Sequence, residues 1–184
     1  MKIYTKQGDA GETFDLNGKK LFKDDPLFHF IGTVDELNCY LGLIKAMLSN
    51  EDAWQYEWKS SCSFLEKTQR RLNKIMADVC GNKSPSEITS ADIASLEKEI
   101  DRLSGNIPKT KEFTLPGYDI IEAHIHIART VARRAERMFY EMKNTRNLCP
   151  QISAYLNRLS DYLFVLSCQE SLINVNFINQ ITGV

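Results

Sequence analysis

No stretch of this 184-residue chain approaches the roughly 20 consecutive apolar residues that a membrane-spanning helix needs. The opening Met1-Lys2-Ile3-Tyr4-Thr5-Lys6 lacks the apolar centre of a secretory leader, so no membrane partner and a cytoplasmic location are expected. Net charge is nearly absent as well. The 23 Lys and Arg against 24 Asp and Glu leave −1, so no global field attracts nucleic acid, and any function that needs cations must come from a local cluster. Cysteine is sparse and odd in number: Cys39, Cys62, Cys80, Cys149 and Cys168 stand far apart with no C-x-x-C. That spacing excludes a disulfide framework and a zinc ribbon, and the five are expected as buried free thiols in a reducing compartment. A Glu-x-x-His pair is missing, which removes the di-iron reading of a helical bundle. No G-x-S-x-G turn or Cys/His pair offers a nucleophile. His124 and His126 are two apart and would point about 200° away from each other on a helix. They cannot share a metal, and no metal site is expected. Repeats and low-complexity tracts are absent too.

What is present centres on Arg129-Thr130-Val131-Ala132-Arg133-Arg134-Ala135-Glu136-Arg137, four arginines and one glutamate in nine residues. Ile121, Ile125, Ala128, Ala132, Ala135, Phe139 and Met142 recur at alternating steps of four and three, which predicts an amphipathic helix running to about Lys143. Arg129, Arg133 and Glu136 repeat that spacing about 100° further round, on the shoulder of the apolar stripe. The alanines let a neighbouring helix come close. One glutamate cannot neutralise four guanidinium groups, and the rigid arginine fork suits polyphosphate and carboxylate. The segment therefore implies an anionic ligand or an acidic neighbour.

The rest of the chain supplies a frame. From Pro26, a residue suited to a first helical turn, Phe30, Val34, Leu37, Leu41, Ile44 and Leu48 form a second stripe, with Asp35 and Asn38 on its shoulder as available partners for the arginine row. A helix over about 52–80 carries Trp54, Trp58, Cys62, Leu65, Thr68, Leu72, Ile75 and Val79 and stops at Gly81. Thr89 caps a shorter helix with Ile93, Leu96, Ile100 and Leu103, which Gly105 ends. Glu112 to Tyr118 is a stiff apolar hinge containing Phe113 and Pro116. Pro150 opens the last helix, where Asn157, one turn in, can approach the arginine row across a short connection. Residues 1–24 show no helical stripe and are expected to be a loop that orders on binding. Within it Thr5-Lys6-Gln7-Gly8-Asp9-Ala10-Gly11-Glu12-Thr13 has the glycines, hydroxyls and lysine of a phosphate cradle, without the spacing or the strand of a Walker A loop. A chain of this length makes one domain, here an all-α bundle of five helices in up-and-down order preceded by the loop.

Three stretches, in this order and spacing, resemble the PduO-type ATP:cob(I)alamin adenosyltransferases over nearly the whole chain. They are Thr5 to Thr13 with Lys23-Asp24-Asp25 and Gly32-Thr33-Val34-Asp35-Glu36-Leu37-Asn38; Phe113-Thr114-Leu115-Pro116-Gly117 with Ala128 to Arg137; and Tyr155-Leu156-Asn157-Arg158-Leu159-Ser160-Asp161-Tyr162-Leu163-Phe164. The resemblance implies transfer of the 5'-deoxyadenosyl group of ATP to the Co(I) of a reduced corrinoid such as cobalamin, with triphosphate leaving. It implies a homotrimer with ATP, accompanied by Mg2+, bound between subunits. By matching position, Thr5, Lys6, Gln7, Gly8, Thr13 and Lys23 would cradle the nucleotide together with Arg133, Arg134, Glu136, Arg137 and Asn157. Asp35 and Arg129 match a pair that bridges subunits. Phe113 matches the aromatic that displaces the lower axial ligand of the corrinoid, and Arg133 joins it as the second residue expected to act in catalysis. A corrinoid reductase is an expected partner. Phe14 and Tyr118 depart from small residues common in the family, and the stretch around Gln69-Arg70-Arg71 is more polar than its counterpart. The alternative is a relative that senses ATP or corrinoid without transfer.

Overall fold

The computed structural model of the chain describes residues 4, 6, 8–50, 55–81, 88–105, 107, 115–143 and 146–182, and for 55–57 and 173–182 the backbone only. Five helices account for most of these: α1 (Pro26–Asn50), α2 (Gln55–Val79), α3 (Ser90–Ser104), α4 (Ile120–Lys143) and α5 (Gln151–Thr182). The stripes read from the sequence are the core. Leu27, Phe30, Val34, Leu37, Leu41, Ile44 and Leu48 of α1 are buried, and so are all seven stripe residues of α4. Each large aliphatic taken fully from water contributes about 1.5–3 kcal/mol, so these two helices alone hold much of the bundle together.

The helices pack principally as α1 with α2, α1 with α4, α4 with α5, and α3 with α5. Ala128, Ala132 and Ala135, all fully buried, keep the surface of α4 thin where neighbours cross it. A larger side chain there would force shifts costing about 1–3 kcal/mol. Phe30 and Phe139 meet with ring centroids 6.0 Å apart, and Thr33 donates to Met138 Sδ at 3.1 Å, fixing α1 against α4.

Helix ends follow their local chemistry. Asp25 Oδ1 accepts from the Leu27 amide at 2.8 Å and also receives Arg146 at 3.0 Å, so one carboxylate caps α1 and ties it to the α4–α5 connection. Asp92 Oδ2 accepts from the Thr89 amide and hydroxyl at 2.9 and 2.8 Å, the expected start of α3. Gly105 is its C-cap.

Two expectations need correction. Residues 1–24 are not wholly irregular: β1 (Glu12–Phe14) and β2 (Lys20–Phe22) pair antiparallel, with Thr13 opposite Leu21. Asp15 accepts from the amides of Asn17 and Lys19 at 2.9 and 2.8 Å, and Gly18 adopts φ 77°, a region favouring glycine, to close the turn. The Leu16 amide donates to Cys80 O at 3.0 Å, docking this hairpin on the end of α2. Three-residue strands are too short to display a period of two, so turn chemistry was the only available signal. The cysteines are free but not buried: Cys39 is exposed and the other four are half-buried.

Candidate functional site

The arginine row lies along α4 above its junction with α1 and α5. Arg133 and Arg137 are exposed, and among the described residues neither has a carboxylate within ion-pair distance. Between them, Glu136 Oε1 accepts from Asn157 Nδ2 on α5 at 3.3 Å. Asn157 Oδ1 in turn accepts from Arg158 at 2.9 Å, and Arg158 is held by Glu97 of α3 at 3.0 Å. The approach of Asn157 to the arginine row, expected from a short α4–α5 connection, is therefore made through the one glutamate of that row.

Glu136, Asn157 and Arg158 line a cavity of about 200 Å³ with Ile93, Tyr140, Ser153 and Ala154. Tyr140, one turn beyond Glu136 and half exposed, was missed in the sequence, since an aromatic at that position shows nothing until α3 and α5 close round it. The cavity is smaller than the several hundred Å³ of ordinary small-molecule pockets. It is too small to enclose a nucleotide alone.

Arg134 turns to the other side. Its Nη2 donates to Glu36 Oε2 on α1, so the acidic neighbour predicted for the row is Glu36 rather than Asp35 or Asn38. Asn38 instead donates to Asn73 of α2 at 2.8 Å, and Asp35 is exposed. One residue along a helix rotates a side chain by about 100°, and that rotation turns Glu36 toward α4. Arg129 is half-buried and donates through Nε to His126 Nδ1 at 3.1 Å. Among the described residues no ion pair within the chain joins it to Asp35.

On the N-terminal side, Lys23 and Gly8 come together: a Cβ built on Gly8 would lie 3.0 Å from Lys23 Nζ. Thr13 is half-buried in β1, and Lys6 is exposed with φ 61°. Thr5, Gln7 and Phe113 lie outside the described residues. Among the described residues no group of three His, Cys, Asp or Glu side chains converges as a metal site, and no helix is long and apolar enough to cross a membrane.

A larger cavity of about 330 Å³ contains none of the expected residues. Lys67, Arg70, Arg71, Lys74, Asp92 and Tyr155 are among its lining. Its arginines are matched, Arg70 to Glu66 and Arg71 to Asp92, each at 2.7 Å.

Comparison with known proteins bears on the arginine site. The chain is 35% identical over 175 residues, 92% of its length, to corrinoid adenosyltransferase PduO of Citrobacter freundii, of which it covers 50%. It therefore spans about half the length of the PduO relatives it matches. It is also 35% identical over 166 residues to the corrinoid adenosyltransferase of Bacillus subtilis, covering 89% of this chain and 83% of that one. Among solved structures, a variant PduO-type ATP:corrinoid adenosyltransferase from Lactobacillus reuteri, complexed with cobalamin and ATP, superimposes with a TM-score of 0.84 at 29% identity over 94% of this chain and 92% of that chain. The family model described as cobalamin adenosyltransferase matches residues 3–170, a span that takes in the hairpin, the arginine row and Asn157. With the five-helix frame and the sequence both matched across that span, the chain belongs to the cobalamin adenosyltransferase family.

Proposed function

We propose that this protein transfers the 5'-deoxyadenosyl group of ATP to the Co(I) of a reduced corrinoid. The observation that carries the reading is the pair of uncompensated arginines, Arg133 and Arg137, flanking the Glu136–Asn157 contact in a member of this family. In the reaction the Co(I) electron pair attacks C5' of ATP, a Co–C bond forms, the C5'–O bond breaks and triphosphate leaves with that bond's electrons. No protein nucleophile is needed, so the protein's task is to position and neutralise. Arg133 and Arg137 hold the phosphates, with Arg134 exchanging Glu36 for phosphate as the nucleotide enters. Asn157 and Glu136 hold the nucleoside end. The N-terminal segment, through Thr5, Lys6, Gln7, Gly8, Thr13 and Lys23, holds the triphosphate, and Mg2+ accompanying ATP would offset phosphate charge there. Phe113 packs against the lower face of the corrinoid and excludes its axial base, leaving the cobalt in the state that accepts an electron from a corrinoid reductase.

The site is completed by a second copy in a cytoplasmic homotrimer. The small cavity supports this, as do Leu43, Ile127 and Phe164, apolar side chains 40–43% exposed on α1, α4 and α5. Arg129 meets Asp35 across that boundary, and residues 1–184 act as one domain. The decisive experiment is anaerobic: chemically reduced cobalamin and ATP should give the absorbance change of an alkylcobalt product together with stoichiometric triphosphate. Binding of both substrates with no product would instead identify a sensor that does not transfer.

A further inference from the structure

Glu122 has no part in the site described above, and His126 enters it only as the partner of Arg129, although both are nearly completely buried, at 3% and 5% exposure. Glu122 stands in the first turn of α4, where a carboxylate normally reaches back to cap the helix. Here Asp119 Oδ1 takes that role, accepting from the amides of Ile121 and Glu122 at 2.6 and 3.0 Å. Glu122 reaches further. Its Oε2 accepts from the amides of Gly117 and Tyr118 at 2.7 and 3.2 Å, and its Oε1 lies 2.9 Å from His126 Nε2. His126 Nδ1 then accepts from Arg129 Nε at 3.1 Å.

The donors and acceptors along this line admit one arrangement of protons. Arg129 can only donate, so Nδ1 is the acceptor, and Nε2 carries the hydrogen and donates to Glu122. A second proton on the ring would set an N–H against the Arg129 N–H. Burial lowers the pKa of His126, and Arg129 adds to that effect while Glu122 opposes it.

We infer that Glu122 and His126 form a buried positioning relay, joining the backbone of the loop before α4 to the guanidinium of Arg129. One end holds Gly117, whose φ of 109° is open chiefly to glycine, four residues beyond Phe113. The other end fixes Nε of Arg129 and leaves its two Nη groups free of the relay. A shift of the loop thus moves the arginine, and a fixed arginine steadies the loop. This rests on the proposed reading, in which the loop meets the corrinoid and Arg129 meets the neighbouring subunit.

Three substitutions test it. In Glu122→Gln the amide has one acceptor and one donor end, so in either orientation it faces a donor with its own N–H, toward the loop amides or toward the ring. In His126→Gln the amide reproduces the acceptor and donor of the neutral ring, whereas His126→Phe keeps the bulk and loses both. The relay predicts a fall in adenosyl transfer of about tenfold to a hundredfold for Glu122→Gln and His126→Phe, the scale of a misplaced group. It predicts a changed corrinoid KM, an ATP KM within about twofold of wild type, and His126→Gln within about twofold in rate. Nitrogen NMR of His126 in the wild-type protein should show the Nε2–H tautomer, a readout that needs no activity. An Nδ1–H tautomer would overturn the relay. So would Glu122→Gln and His126→Phe proteins that melt lower yet transfer at the wild-type rate well below melting, since that is the mark of a purely structural pair. Should a variant fail to fold, the tautomer still decides. Should wild type show the tautomer and no transfer, the proposed reaction fails and the relay stands as geometry.

Discussion

Two helices of this protein carry four cationic side chains within nine residues, α4 with Arg129, Arg133, Arg134 and Arg137, and α2 with Lys67, Arg70, Arg71 and Lys74. Their surroundings differ. On α2 the arginines are matched by nearby carboxylates, Glu66 one turn before Arg70 and Asp92 on α3 facing Arg71. On α4 only Arg134 has an ionised partner within the chain, Glu36, among the described residues, while Arg133 and Arg137 are exposed to solvent. A count of charges does not separate the two helices. What does is whether the fold supplies the counter-charge.

The largest expected break in that contrast is Arg133→Ala. Removing one preorganised donor from a site of developing charge costs about a hundredfold to a thousandfold in rate. The exposed side chain holds nothing in the fold, so the melting temperature should stay within a degree or two of wild type, as scanning calorimetry beside the anaerobic assay would record. Loss of fold with loss of rate would make Arg133 structural and erase the distinction from α2.

Next in size is Asp35→Asn. In the proposed trimer an unpaired charge left at the subunit boundary costs about 2–5 kcal/mol, so the variant should dissociate at concentrations at which wild type stays assembled, measured by sedimentation velocity. Unchanged assembly on dilution would remove the Asp35–Arg129 bridge.

A third test uses pH. The folded protein holds His126 neutral, with its pKa below the ordinary imidazole value for reasons led by burial. The unfolded chain therefore takes up a proton first as pH falls through about 6.5. Stability contributed by this group is complete above that value and declines below it, because the unfolded state binds more protons there. His126→Gln should flatten this part of the profile in denaturant titrations. An unchanged slope would assign the pH dependence to other groups.

The smallest effect belongs to α2. Arg71 and Asp92 keep 36% and 10% of their side-chain surface exposed, and partly solvated pairs contribute about 1 kcal/mol or less. Arg71→Ala should lower the unfolding midpoint slightly and leave transfer intact. A large loss of transfer would show that the cations of α2 also serve the reaction.

The helical frame was written in the sequence because burial on one side of a helix imposes a period of 3.6 residues. The stripes of α1 and α4 show that period without interruption, and Thr89, Gly81 and Gly105 mark helix ends by chemistry local to a few residues. The excess of arginine over glutamate in α4 was equally local, and it alone implied an anion. Other features depended on which helices become neighbours. Glu36 rather than Asp35 meets Arg134 because α1 crosses α4 at one rotation about its axis, and a single residue step turns the side chain by about 100°. His126 read as a histidine without a metal. Its role appeared only when the turn before α4 folded back and brought the Gly117 and Tyr118 amides to Glu122. The β-hairpin leaves no pattern in the sequence because three residues are too few for a period. Sequence determines patterns that repeat along one element, whereas the pairing of charges between elements is decided by packing, which sets distance and rotation together.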